Sequence, residues 1–141
     1  MRSIIKEKRN ESSFRILSTT TKNIGSITLI KPLLDSIGIA EIIDGYCPME
    51  RDVDGGITNG EAIEVLVLNR LTSPTPIVHV EEWARQYALQ ETCGISPDEV
   101  NDDRLRRALD AIYSKIEFIE GDAAINIMTR YKMKLELNSQ T

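Results

Sequence analysis

The sequence predicts an all-α protein: a compact bundle of about six helices, with a basic N-terminal arm and a short C-terminal strand stub. Three observations predict it. Apolar residues recur at spacings of three and four through most of the chain between residues 23 and 131. Cap residues of the Ser, Thr and Asn class open several of these stretches. Glycine and proline fall mostly between them. The 141 residues divide into an arm (1–22), a helical domain (23–131) and a stub (132–141).

The arm has weak periodicity and many polar residues, and its "FRILSTTT" reads equally as a short strand or a flexible segment. From Ile27 the pattern turns helical: Ile27, Ile30, Leu33, Leu34 and Ile37 share one face, and Gly38 follows as a C-cap. Pro32 inside that stretch is expected to shift its start or kink it. "IAEIIDGYCP" is a second, shorter helix stopped by Gly45 and Pro48. A charged loop with a turn at Asp54-Gly55-Gly56 leads to "TNGEAIEVLVLNRL". There Thr58 and Glu61 have the spacing of a capping box, and the apolar middle marks the most buried helix, with Asn69 and Arg70 its polar exceptions.

In "SPTPIVHVEEWARQYALQ" Thr75 is the expected cap and Pro76 the first helical residue, with Val80, Trp83, Ala84 and Tyr87 on one face and Cys93-Gly94 at the end. "SPDEV" has the same form, Ser96 capping, Pro97 first and Glu99 closing a box. "NDDRLRRALDAIY" opens on Asn101, with Asp102 and Asp103 where carboxylates favour the positive end of the helix dipole. Leu105, Ala108, Leu109 and Ile112 form its apolar face, ringed by Arg104, Arg106 and Arg107. The last helix is expected from about Ile119 to Tyr131, burying Ala123, Ala124, Ile127 and Met128. Beyond it Met133, Leu135 and Leu137 alternate with Lys132, Lys134 and Glu136, the period of two of a half-buried strand.

Composition bounds function. Hydrophobic residues make up 41% and charged residues 28%, ordinary for a soluble globular domain, while 5% aromatics require an aliphatic core. No apolar run approaches the ~20 residues of a bilayer span, and the N-terminus has no stretch suited to a secretory signal. A cytoplasmic location is therefore expected, with Cys47 and Cys93 kept as thiols. A single histidine, His79, and no paired-cysteine spacing give no metal site, and no cofactor is expected.

The formal net charge of −5 hides an asymmetry. Residues 1–34 hold seven Lys or Arg against two Glu, and the remainder holds ten against twenty acids. A basic arm can contact phosphates or can be a solvated terminus. No nucleophile–base pair, Gly-rich phosphate loop or H-E-x-x-H occurs. Asp102 and Asp103 point about 100° apart on a helix, so capping accounts for them better than paired-acid chemistry. His79 and Trp83 lie one turn apart, as a packed pair would. Arg104, Arg106 and Arg107 suit phosphates or base edges, and suit the neighbouring acids equally well.

"GEAIEVLVLNRLTSPTPIVHVEEWA" followed by "NDDRLRRALDAIY", with the earlier "LLDSIGIAEIID", resembles the N-terminal helical domain of insertion-sequence transposases of the DDE type, itself a domain of unknown function. The resemblance runs from about Asn23 to about Tyr131. It implies an RNase H-like catalytic domain after the helices, with "YKMKLEL" as the start of its first strand. The chain reaches Asn138-Ser139-Gln140-Thr141 where the family would show its first metal-binding acid. No catalytic residue carries over, and no enzymatic activity is expected.

The function expected from the resemblance is a non-catalytic transposase N-terminal domain or fragment that holds the terminal repeats of its element. Lys6, Lys8, Arg9, Arg15, Lys22, Arg104, Arg106 and Arg107 are its candidate DNA contacts. The acidic body supports another expectation: a module for assembly with transposase subunits or with itself, or an inhibitory or inert remnant. No membrane partner is expected.

Overall fold

The computed structural model describes residues 26–49 and 56–139, and the fold is all-α. Helix α1 covers residues 26–37 and runs through Pro32. Gly38 follows at φ 77°, its N–H donating to the carbonyls of Leu34 and Asp35. That left-handed conformation, which favours glycine, lets α2 (Ile39–Tyr46) start at once in a new direction. Helix α2 continues through Gly45 and ends at Cys47. The turn expected at Asp54 and Gly55 lies outside the described residues.

Helix α3 (Asn59–Thr72) is the centre. Its N-terminus has the expected capping box: Thr58 Oγ1 accepts from the Glu61 N–H, and a Glu61 carboxylate oxygen accepts from the Thr58 N–H. Ala62, Val65 and Leu68 are buried, and α3 packs against α2, α4 and α6. Gly60 permits the approach to α2, since a Cβ there would come within 2.2 Å of the Ala40 carbonyl oxygen. Its N–H donates to Asp44 at 2.7 Å.

One charge pair ties α1 to this centre. Lys31 Nζ sits 2.8 Å from Glu64, a residue 3% exposed. Burial pushes the Glu64 carboxyl up, and the Lys31 ammonium offsets part of that cost. For Lys31, burial works against the charge, but hydrogen bonds to Asp35 and Glu64 outweigh it and hold the ammonium above its ordinary range.

The segment after α3 departs from expectation. Thr75 does not cap a helix; its hydroxyl accepts from Asn69 Nδ2, while its N–H donates to Asn69 Oδ1. Ile77–His79 form a single 3₁₀ turn before α4 (Val80–Gln86). The single helix expected as far as Cys93 is broken by Ala88, a non-glycine residue at φ 53°. Helix α5 (Leu89–Cys93) restarts beyond it and ends on Gly94, at φ 71°. Pro97–Val100 is another 3₁₀ turn, and Ser96 makes no side-chain cap bond. The local signals mark helical turns here, but burial of Trp83, Ala84 and Leu89 in one cluster requires short pieces at angles to one another.

Helix α6 (Asp102–Tyr113) starts as predicted, Asn101 Oδ1 accepting the Arg104 N–H at 2.9 Å. Leu105, Ala108 and Ile112 are buried, while Leu109 stays exposed.

The largest correction concerns the C-terminus. Residues 132–139 form no strand; they are the last turns of α7 (Ile116–Ser139). Leu, Met, Lys and Glu are all strong helix formers, and this stretch contains no β-branched residue. No strand is present among the described residues for it to pair with. At the helical period Met133 and Leu137 share a face with Arg130 and border a groove against Leu33 and Ile37 of α1. The expected burial along this helix is also corrected. Ile127 and Met128 are exposed, Ala124 is exposed and Ala123 only half-buried, because α7 touches the bundle along one narrow line. That line is Ile119, Asp122, Asn126 and Arg130, with Phe118 beside it stacked on Tyr46 at 5.8 Å. Ile119 is buried, Asp122 accepts from the Tyr46 hydroxyl, and Asn126 and Arg130 donate to the last carbonyls of α1, those of Ile37 and Ser36.

Candidate nucleic-acid interface

Helix α6 carries three arginines at its start, and the fold gives them different environments. Arg104 points inward and is 5% exposed. Its guanidinium donates to the Ile57 carbonyl at 3.0 Å and to Asn59 Oδ1 at 3.0 Å. Asn59 Nδ2 donates onward to the Cys47 carbonyl at 2.9 Å. This buried knot joins the end of α2, the start of α3 and the first turn of α6. A charge buried with its donors used internally is a structural element, so Arg104 does not belong to the outer surface with its neighbours.

Arg106 and Arg107 do lie on the surface. Each reaches back one turn, Arg106 to Asp102 at 3.5 Å and Arg107 to Asp103 at 3.2 Å. Exposed pairs of this kind hold their partners weakly, contributing ~0.3–0.5 kcal/mol each. The two acids also face the positive end of the helix, as their position in sequence implied.

Arg106 has a neighbour that sequence reasoning passed over as a DNA contact. Arg70, exposed at the end of α3, borders the same groove, with Leu66, Val67, Leu71 and Leu109 between them. The groove has a volume of about 670 Å³. Arg70 stood out in sequence as a polar residue ending an apolar helix; only the packing of α3 on α6 brings it to the same groove as Arg106. The face thus offers guanidinium groups on an apolar floor, a combination that suits phosphates with apolar or stacking groups between them.

Lys6, Lys8, Arg9, Arg15 and Lys22 lie outside the described residues. His79 is exposed at the start of α4. It borders a shallow cleft of about 330 Å³ with Trp83. Trp83 is buried, stacks on Tyr87 at 5.3 Å and donates to Thr72 Oγ1 at 3.2 Å, so its polar bond goes to α3. Cys47 is buried with its thiol donating to the Ala111 carbonyl, and burial pushes both it and Cys93 up. Neither is the lowered thiol of a nucleophile. Among the described residues no group of His, Cys, Asp and Glu side chains could hold a metal ion. No helix there is long and apolar enough to cross a membrane.

Fold and surface together define a small all-helical domain in which charged groups supply caps, ion pairs and one buried knot, while Arg70 and Arg106 border an apolar groove. Residues 19–117 match the model of the family described as Domain of unknown function (DUF4277), and the chain belongs to that family. No curated protein and no solved structure matches it.

Proposed function

We propose that this chain is the non-catalytic N-terminal domain, or a fragment, of a DDE-type transposase, and that it binds the DNA at the ends of its element. The observation that carries the reading is the pairing of Arg106 with Arg70 across the α3–α6 groove, with Arg107 one step along α6. The sequence resemblance supplies the transposase context, and the basic residues of 1–22 supply further cations on the same chain. The intrahelical pairs with Asp102 and Asp103 are weak enough for a phosphate to displace. Arg104 is left out of the contact set because its guanidinium is buried.

Fluorescence anisotropy with a duplex carrying the terminal repeat and a scrambled control tests it. The expected result is preference for the repeat, with affinity that falls steeply as salt rises, since each phosphate contact releases counterions. Arg70→Ala with Arg106→Ala should weaken binding about tenfold or more and flatten the salt dependence. Equal, salt-independent or absent binding would sink the proposal.

A second reading, a module for subunit assembly, draws on a specific feature: the long apolar surface that α7 leaves exposed.

A further inference from the structure

Helix α7 has two sides. Its inward line (Ile119, Asp122, Asn126, Arg130) meets α1 and α2. At 100° per residue the face opposite that line carries Gly121, Met128, Lys132 and Leu135, with Ile125 at its edge, and it is largely apolar. Ile125, Met128 and Leu135 are 61%, 68% and 50% exposed. With Gly121 and Lys132 they give the four-three spacing of a two-stranded seam: Gly121, Ile125, Met128, Lys132, Leu135. Gly121 stands mid-helix, where glycine costs stability, and a Cβ there would meet nothing within 4 Å. Nothing inside the described fold explains a glycine at that point, whereas close approach of another helix does.

Charge along α7 selects the occupant. Leaving out Asp122 and Arg130, which turn inward, its first half carries Glu117 and Glu120; its second half carries Lys132 and Lys134 against Glu136 alone. An identical helix laid antiparallel sets acidic half against basic half. Laid parallel, it would stack Lys132 on its own copy and acids on acids.

We infer that the outward stripe of α7 is a self-association surface, on which α7 of a second copy of this chain packs antiparallel about a two-fold axis. Such an interface is isologous, so a single self-complementary stripe suffices. Three large side chains at least half exposed offer on the order of 300 Å² of apolar surface per protomer. A standard interface buries ~800 Å² per partner, so the dimer is weak. The inference gives the assembly reading its surface and its partner, and it does not depend on DNA binding.

Sedimentation equilibrium of the whole chain from about 1 to 200 µM tests it. The mass should rise with concentration from 15.9 kDa toward twice that value. Met128→Glu with Leu135→Glu should weaken association at least tenfold while the circular dichroism melt stays cooperative. Should that variant fail to fold, charge reversal decides, because its sites are all exposed. Lys132→Glu with Lys134→Glu should weaken the dimer, as should Glu117→Lys with Glu120→Lys, and the four changes together should restore it. No rescue would overturn the antiparallel arrangement. A dimer indifferent to all these changes would overturn the α7 surface yet leave assembly through another face. A monomer at every concentration would overturn both the surface and self-assembly.

Discussion

Helices α3 and α7 are both long and both carry apolar residues on every side, yet the fold treats them in opposite ways. In α3, Ala62, Val65 and Leu68 are in the core, and even Glu64 and Asn69 are buried. In α7 only Ile119 of 24 residues is buried. Composition does not separate them; neighbours do. Helix α3 has α2, α4 and α6 around it, while α7 leans on α2 and on the last carbonyls of α1. An apolar helix is therefore a core element only where other elements surround it. Where they do not, its free face is a candidate surface for something outside the fold.

The contrast can be broken first at Leu68, which is 1% exposed. Leu68→Ala should cost about 3 kcal/mol, from lost burial and the cavity left behind. Urea unfolding would measure it, and a loss under about 1 kcal/mol would mean that α3 is not the centre. Arg104→Met comes next. It keeps apolar volume but strands the Ile57 carbonyl and Asn59 Oδ1, for a loss of roughly 2 kcal/mol. If it behaves instead like a surface substitution, the buried knot is not holding α6 to α3. Leu137→Ala, at the far end of α7, should change stability by less than about 0.5 kcal/mol at a concentration where the chain is monomeric. A larger loss would show that the last turns of α7 pack more firmly than their exposure implies.

Much of the fold was legible in sequence for local reasons. The capping box at Thr58 and Glu61, the Asn101 cap and the αL glycine at Gly38 each depend on residues within one turn, and each is found as expected. The failures share a different cause. Alternation at Met133, Leu135 and Leu137 is a strand signal only if a sheet exists to receive it, and a preceding helix with no stop signal continues instead. The break at Ala88 leaves no local mark because alanine is a strong helix former; what lies on either side of it is core, with Trp83 and Leu89 both buried in one cluster. At the candidate interface, three arginines in four residues were visible in sequence, but which of them turns inward was not.

By itself, then, the sequence determined the helical class, the buried character of α3 and the starts of α3 and α6. All of these rest on propensity, periodicity and caps that act over a few residues. Tertiary structure alone decided that Arg104 joins three helices while Arg106 and Arg70 border one groove, and that α7 buries one line and exposes the rest. Those outcomes depend on which helix lies beside which, and contacts between distant segments leave no periodic trace in the chain that makes them.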